Sequence, residues 1–567
     1  MKMRSRFLSL VPLVLVAAAA CAREATSAGD DEEGPIAVSE DALEQTLGTA
    51  ADPADIGREI SIRRHLEDGE EYFVGAKGLI AHGKRLFTAV WTPQEGGGRP
   101  LSKGTGDPLS DPSQPLVFPR NFNRISAMDS NSCTSCHNAP VVGGGGHSVA
   151  NAFIPGQRFD FLTFDKDDGI KTKGNLDERG LPTTLITNGT GVNAATNSRA
   201  TVGMFGSGFI EMLTRQMTTD LQAIRDTIAP GTSKALASKG VTFGSLARAA
   251  NGSWDVSNVE GISKLSLVTT GSDDPPSLVL RPFHQQSQVI SIREFTNNAM
   301  NHHHGIQTTE RFGKNTDPDG DGMKNEMSRA DVTAVAIFQA TLPVPGRVIP
   351  RHKAIADAVW TGEQKFDAIG CTSCHKASLP LHSNAWEFSE PNPFNPPKNL
   401  RPGDAAPVTV DLTNAALPGP RLKVKDGVVD VPAYTDLKLH DITTGPDDPN
   451  CDPIDMQESA TTPQAGAMST ANPKFFAGTC KFLTKKLWGA ANEPPFFHHG
   501  KFTTLREAIL AHAGEAQGTT TAFKNLSDRE QGAVIEFLKS LQVLPQRATS
   551  LVVDENGFSR PWPPTTK

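Results

Sequence analysis

The chain has 567 residues, of which 37% are hydrophobic, and a formal net charge of −8. This length is sufficient for two or three domains with buried cores. The sequence contains no long basic run, so it does not indicate nucleic acid as a partner. Its 51 glycines and 41 prolines favour short helices joined by long loops.

The first residues are typical of a bacterial export signal with a lipid-attachment site. Three basic residues precede an apolar stretch at 7–20, and Cys21 follows small residues as in a lipobox. We predict a lipoprotein signal peptide at 1–21 with lipidation of Cys21, followed by a flexible tether at 22–55. The alternative is an ordinary signal peptide cleaved nearby. The expected location is periplasmic or outer-membrane-associated, with membrane contact through the lipid anchor only.

The pentapeptide Cys-Thr-Ser-Cys-His occurs twice, at 133–137 and 371–375. This is the attachment signature of c-type haem, in which two thiols form thioethers with one haem and the following histidine binds its iron. A zinc site would need four ligands at each place, and a thioredoxin-like pair would not need the histidines. The sequence therefore predicts two covalently bound haem c groups, held by Cys133, Cys136, His137, Cys371, Cys374 and His375.

A segment of the form Gly-x-x-x-Phe precedes each motif, at 83–87 and at 362–366, and indicates an internal duplication. Each segment is typical of the short helix before a cytochrome c haem site. We predict a mainly α fold with two cytochrome c-like haem domains, long loops and a few short strands. The N-terminal haem domain, with insertions, is placed at 56–345, the C-terminal haem domain at 346–545 and a tail at 546–567.

Local patterns predict the main helices. In three of them a Ser or Thr is followed three residues later by Asp or Glu, which forms a capping box. The helices are expected at 214–228, 328–342, 504–513 and 527–541, and short strands at 278–281 and 289–292.

An acidic loop offers a candidate calcium site. Asp317, Asp319 and Asp321 alternate with Pro and Gly, and Glu326 could complete an oxygen cage. The full EF-hand pattern fails because Ser328 stands where a bidentate glutamate is required. The alternative is a solvated acidic turn.

Two cysteines remain after the haem motifs and the lipid site are assigned. In an oxidising compartment we expect Cys451 and Cys480 to form a disulfide that closes a surface loop. Two unrelated free thiols are the alternative.

Four segments near the C-terminus resemble a known family: 487–489 (Leu-Trp-Gly), 495–500 (Pro-Phe-Phe-His-His-Gly), 504–509 and 512–516. With the haem motifs, they make the chain similar to the bacterial di-haem cytochrome c peroxidase superfamily. The resemblance is strongest to its di-haem oxidoreductase family, once labelled thiol oxidoreductases. His499 departs from the pattern because the peroxidases have Asp there, so no role is carried over to it.

The resemblance implies a second iron ligand for the haem on His375. Related peroxidases place a Met on the helix after the His-x-Gly turn, and the corresponding position here is His512. We therefore predict bis-histidine ligation by His375 and His512, which gives a lower potential than a His/Met pair. The alternative is that His512 only hydrogen-bonds the end of its helix.

The haem on His137 has no equally clear second ligand, so a five-coordinate or water-ligated reactive iron is expected. The weaker candidates are His147, His302, His303 and His304.

Peroxide cleavage also needs an acid–base group near the reactive iron. Glu211 ends a segment that resembles the family's stretch near the first haem, and it is the catalytic candidate. A surface carboxylate at the start of a helix is the alternative.

These features predict a periplasmic di-haem oxidoreductase of peroxidase type. Electrons from a small donor protein or a quinol-linked carrier are expected to enter at the C-terminal haem and to reduce hydrogen peroxide at the N-terminal haem. One alternative is a di-haem oxygenase, using dioxygen, or a protein-modifying oxidase. Another is an electron-transfer protein without catalysis.

Overall fold

The computed structural model describes residues 52–98, 131–146, 149–150, 199–269, 271, 274–317, 321–452, 455, 457 and 478–564. The predicted signal peptide with Cys21, most of the tether, His147 and Asp319 lie outside the described residues.

Helices in the described residues are short to medium in length. The α-helices are α1 (Gly75–Thr88), α2 (Ser207–Arg225), α3 (Ile292–Ala299), α4 (Thr309–Phe312), α5 (Arg329–Ala340), α6 (Lys353–Ala368), α7 (Leu505–Leu510), α8 (Gln517–Lys524) and α9 (Asp528–Ser540). A π-helical turn at Met300–His304 extends α3, and each pentapeptide motif begins with a 3₁₀ turn, Cys133–Ser135 and Cys371–Ser373.

Many short strands form small separate sheets. The strands are β1 (Val149–Ala150), β2 (Arg199–Ala200), β3 (Thr232–Ser238), β4 (Val241–Arg248), β5 (Trp254–Asp255), β6 (Gly346–Val348), β7 (Leu379–His382), β8 (Glu387–Glu390), β9 (Val408–Asp411), β10 (Val428–Val431), β11 (Leu439–Asp441), β12 (Lys481–Leu483), β13 (Leu541–Gln542) and β14 (Val552–Val553). Strands β3–β4–β5 form an antiparallel meander, and β6 lies between antiparallel β13 and parallel β14. The other pairs are antiparallel: β1–β2, β7–β10, β8–β9 and β11–β12.

The prediction of a mainly α fold with two cytochrome c-like haem domains is wrong. Helix accounts for 33% and strand for 16% of the structure, which is a mixed composition. An apolar cluster of the described residues also combines both halves of the chain, including Leu79 of α1, Leu213 of α2, Phe388 of β8 and Trp488. Apart from β3 and β4, the strands have two to four residues, which is too few positions for an alternating pattern.

The capping boxes gave the more reliable predictions. Ser328, Thr504 and Ser527 each cap the helix that begins at the next residue, and the reciprocal side-chain contacts are present in all three. The two predicted strands are wrong, because 278–281 is irregular and 289–292 contributes only an isolated bridge from Val289 to Phe283. Among the described residues, no helix has the length and apolarity that a membrane crossing requires.

Two helix pairs have the same construction and hold the two motifs. In the first, α1 packs on α5; in the second, α6 packs on α9. The ring of Phe87 in α1 lies 5.3 Å from that of Phe338, and the ring of Phe366 in α6 lies 5.2 Å from that of Phe537. The duplicated Gly-x-x-x-Phe segments therefore occupy equivalent places in two equivalent pairs.

Candidate functional site

Both pentapeptide motifs line one cavity of about 490 Å³. Cys133, Cys136 and His137 contribute to its wall, as do Cys371, Cys374 and His375. This volume is within the range of pockets that enclose a cofactor. The structure thus brings the predicted haem-attachment residues together.

The two motif histidines have matching surroundings. The Nδ1 of His137 donates to the carbonyl of Gly144 at 3.2 Å, and the Nδ1 of His375 donates to the carbonyl of Tyr434 at 3.0 Å. Because a carbonyl can only accept, the proton is on Nδ1 in both rings and Nε2 is the nitrogen that can bind a metal. Burial lowers the pKa of each histidine to about 4, which keeps both rings neutral at pH 7.

The helix pairs position these histidines. The ring of Phe87 lies 6.2 Å from that of His137, and the ring of Phe366 lies 6.2 Å from that of His375. Each phenylalanine belongs to a duplicated segment and joins its helix pair to the adjacent motif. The repeat in the sequence is therefore also a repeat in the site.

The motif cysteines suit haem better than zinc, because a structural zinc site needs four protein ligands. Burial raises the pKa of Cys133 and Cys371 to about 12. In the described part of the chain, the cluster that could hold a metal ion contains just one cysteine, Cys374, with Asp436 and His440. Two thiols and a neutral imidazole at each motif are the donor set that a c-type haem uses.

His512 lies on the same cavity as His375. It follows α7, and its Nδ1 donates to the carbonyl of Ala508 at 2.7 Å, which again makes Nε2 the nitrogen that can bind a metal. Burial lowers the pKa of His512, and its proximity contributes to the low pKa of His375. The centroid of the Phe497 ring lies 5.2 Å from that of the imidazole, and the two rings are nearly perpendicular.

Near the first motif, two histidines of the π-helical turn line the cavity. They are His303 and His304. The Nε2 of His304 lies 3.3 Å from the Sγ of Cys133, so this buried side chain is close to the first motif. Single π-helical turns occur frequently at functional sites.

Glu211 is not among the residues that line the cavity, although its neighbour Ile210 is. Its fully buried carboxylate accepts hydrogen bonds from Arg215 Nε at 3.1 Å, from Asn392 Nδ2 at 2.7 Å and from the backbone N–H of Ile292 at 2.7 Å. One residue along a helix is a rotation of about 100°, which turns Glu211 away from the wall that Ile210 forms. The structure therefore places the predicted acid–base residue in a buried ionic network.

Two further ionisable groups lie on the cavity wall. His440 of β11 lies between the carboxylates of Asp436 and Glu515. Lys486 is buried, which lowers its pKa to about 8, and its Nζ donates to the carbonyl of Gly203. Asp436 lies four residues before His440, but Glu515 is 75 residues away, so the sequence could not show this grouping.

The candidate calcium ligands are only partly described. The carboxylate of Asp317 accepts from the backbone N–H groups of Asp321 and Gly322, each at 3.1 Å. Glu326 is buried and accepts from the backbone N–H of Gln307 at 2.6 Å. These contacts are protein hydrogen bonds, and the calcium site stays a prediction.

A disulfide joins Cys451 and Cys480. The backbone next to it is paired through Asp452 and Thr479, whose N–H groups donate to each other's carbonyls at 2.8 and 2.9 Å. This link closes the segment between β11 and β12.

Comparison with known proteins supports a redox function. The model of the family “Di-haem oxidoreductase, putative peroxidase” matches residues 429–541. None of the curated proteins gives a significant match. Among solved structures, hydrazine synthase from Kuenenia stuttgartiensis is 16% identical over 39% of this chain, with a TM-score of 0.21. The chain spans 58% of the length of that structure.

The family match includes Tyr434, the partner of His375, together with His440 and His512. It indicates haem as the cofactor and oxidoreduction as the class of activity. The resemblance that the motifs indicated is therefore confirmed, and this chain, over residues 429–541, is similar to the di-haem oxidoreductases.

Proposed function

We propose that this protein is an exported di-haem oxidoreductase that carries two covalently bound haem c groups and reduces hydrogen peroxide. The observation that carries the proposal is that both Cys-Thr-Ser-Cys-His motifs line one cavity with the same histidine geometry. The family match at 429–541 supports the redox class. The lipoprotein-like N-terminus supports export, because c-type haem is attached outside the cytoplasm.

The chain's own residues determine what each site can do. Haem, when bound, supplies one-electron redox chemistry and an iron position at which peroxide or dioxygen can bind. Around the second motif, His375 and His512 present two imidazoles to the cavity and would both hold the haem, which would store and pass electrons. Around the first motif, His137 would hold the haem, and we assign the reactive site to this motif.

Proton supply at the first site is assigned to wall residues. Glu211 already accepts hydrogen bonds from Arg215, Asn392 and Ile292, so its carboxylate is occupied in the network described above. His303 and His304 line the cavity, and an imidazole can both accept and donate a proton. They are the groups suited to take a proton from peroxide and to return one to the leaving oxygen.

The electron source is proposed to be a small donor protein or a quinol-linked carrier. Lipidation of Cys21 would hold the protein at a membrane surface near such carriers. We do not propose nucleic acid as a partner, because the sequence contains no long basic run.

The test begins with haem content. Exported protein produced with a c-type maturation system should carry two covalent haems by intact mass. The double variants C133S/C136S and C371S/C374S should each retain one haem. An unmodified chain after proper export would contradict the proposal.

The second measurement is activity. We expect a high-spin ferric signal from one haem and rapid peroxide reduction with reduced cytochrome c as donor. Two low-spin haems in every redox state, without turnover, would instead indicate an electron carrier. Consumption of dioxygen with an organic substrate would indicate an oxygenase.

A further inference from the structure

His440 is held between two carboxylates. Its Nε2 lies 2.8 Å from Asp436 Oδ2, and its Nδ1 lies 2.6 Å from Glu515 Oε2. An ionised carboxylate can only accept, and a neutral imidazole has only one N–H to donate. Two such contacts therefore require the doubly protonated, positively charged ring.

The electrostatics agree with this protonation state. Burial alone would lower the pKa of His440, but the hydrogen bonds to Asp436, Cys374 and Glu515 raise it to about 11. Burial raises the pKa of the Asp436 carboxyl, but the hydrogen bond from His440 lowers it overall, and the same holds for Glu515. At neutral pH the group consists of one cation between two anions.

Both anions are also fixed by the backbone. Asp436 Oδ1 accepts from the N–H of Lys438 at 3.0 Å, and Glu515 Oε1 accepts from the N–H of Asp441 at 3.0 Å. Asp436 is buried, whereas the Glu515 side chain is 52% exposed. The pairing of β11 with β12 places His440 opposite Phe482, which fixes the backbone position of the cation.

This charged group lies at the second haem-attachment site. The Sγ of Cys374, a ring nitrogen of His440 and a carboxylate oxygen of Asp436 all lie within 4.8 Å of one another. His440 and Glu515 line the same cavity as His375 and His512. A thioether at Cys374 would place the imidazolium beside the edge of the porphyrin.

We propose that the fixed positive charge of His440 raises the midpoint potential of the second haem. The negative charges of Asp436 and Glu515 lower the same potential. This inference rests on the proposed attachment of haem at Cys374. Reduction adds an electron to the haem, so a nearby cation favours the reduced form and a nearby anion opposes it. Bis-histidine ligation gives a low potential, and the imidazolium offsets part of that effect, which adjusts the driving force for transfer to the first haem.

The test is a redox titration of the purified di-haem protein at pH 7, in which the low-spin haem is followed separately. H440Q should lower the potential of that haem, whereas D436N and E515Q should raise it. H440K retains a positive charge and should lie closer to the wild type than H440Q. The surface control H382Q, on β7 and outside the cavity wall, should leave both potentials unchanged.

The opposite signs separate an electrostatic role from a structural one. If the variants only loosened the site, solvent would enter in each case and all potentials would shift in the same direction, which would overturn the inference. Unchanged potentials would overturn it as well. Since the Glu515 side chain is half-exposed, E515Q keeps the test available should H440Q fail to fold. If intact mass showed no haem at Cys374, the proposed function would be contradicted. If two haems were attached but the midpoint potentials of all the variants shifted in the same direction, only this inference would be contradicted.

Discussion

Gly83 and Gly362 occupy equivalent positions at two helix crossings. A Cβ on Gly83 would lie 2.0 Å from the carbonyl oxygen of Ala334, and a Cβ on Gly362 would lie 1.8 Å from that of Ala533. Both distances are far below van der Waals contact with backbone atoms that cannot rotate away. Each helix pair therefore depends on a glycine four residues before the phenylalanine that packs near the motif histidine.

Alanine at either glycine should separate its helix pair. We expect G83A and G362A to lower the free energy of unfolding by about 3 kcal/mol each, as overpacked cores do. Urea unfolding followed by circular dichroism measures the change.

The matched control for these variants is on the same helix pair. Gly532 in α9 has open space around its Cβ position, so G532A should raise stability by roughly 0.5–1 kcal/mol through helix propensity. Equal stability of G362A and G532A would contradict the close-approach explanation.

His512 should control the ligation of the second haem. H512A should convert a low-spin ferric signal to a high-spin one, and H512M should keep it low-spin while raising the midpoint potential. Electron paramagnetic resonance and redox titration give the two readouts. The control H499Q changes a histidine that bonds to Asn450 and should leave the spin state unaltered. A low-spin signal that persists in H512A would exclude this residue as the ligand.

Glu211 should matter for stability. E211Q removes the charge that balances the buried guanidinium of Arg215, and we expect a loss of about 3 kcal/mol, as for other broken buried pairs. The control E387Q changes an exposed carboxylate on β8 and should stay within about 0.5 kcal/mol of the wild type. If E211Q were as stable as the wild type and slower in peroxide turnover, the catalytic role would be supported instead.

Asp331 should make stability depend on pH. Its buried carboxylate lies 2.7 Å from a ring nitrogen of His65 and 2.7 Å from one of His82. Burial lowers the pKa of His65, but the hydrogen bond with Asp331 raises it overall, while burial raises the pKa of Asp331 and the two histidine contacts lower it far below its usual range.

The signs of these shifts define two windows. The contribution of His65 is complete below its unfolded pKa, about 6.5, and is lost as pH rises through the higher folded value. The contribution of Asp331 is complete above its unfolded pKa, about 3.9, and is lost as pH falls toward the folded value.

D331N should lower stability by about 3 kcal/mol at pH 6 and should flatten the decline between pH 6 and 8. Urea unfolding across this range measures both effects. The exposed pair of Lys353 and Asp357 gives the control, since D357N should change stability by less than about 1 kcal/mol at any pH. An unchanged slope in D331N would show that other groups cause the pH dependence.

The helix starts could be predicted because their causes are local. A capping box needs one hydroxyl and one carboxylate three residues apart, so Ser328, Thr504 and Ser527 marked their helices directly. The mixed architecture could not be predicted, because β7 pairs with β10, nearly fifty residues later, and such pairings depend on which distant segments meet.

The haem motifs and the family resemblance are properties of the sequence by itself, since the spacing of Cys, Cys and His contains the whole chemical requirement. Only the tertiary structure decided that the two motifs share a cavity, that Glu211 faces away from it and that His440 lies between Asp436 and Glu515. The physical reason is that a motif depends on residues that are close in sequence, whereas burial and charge pairing depend on residues that are close in space.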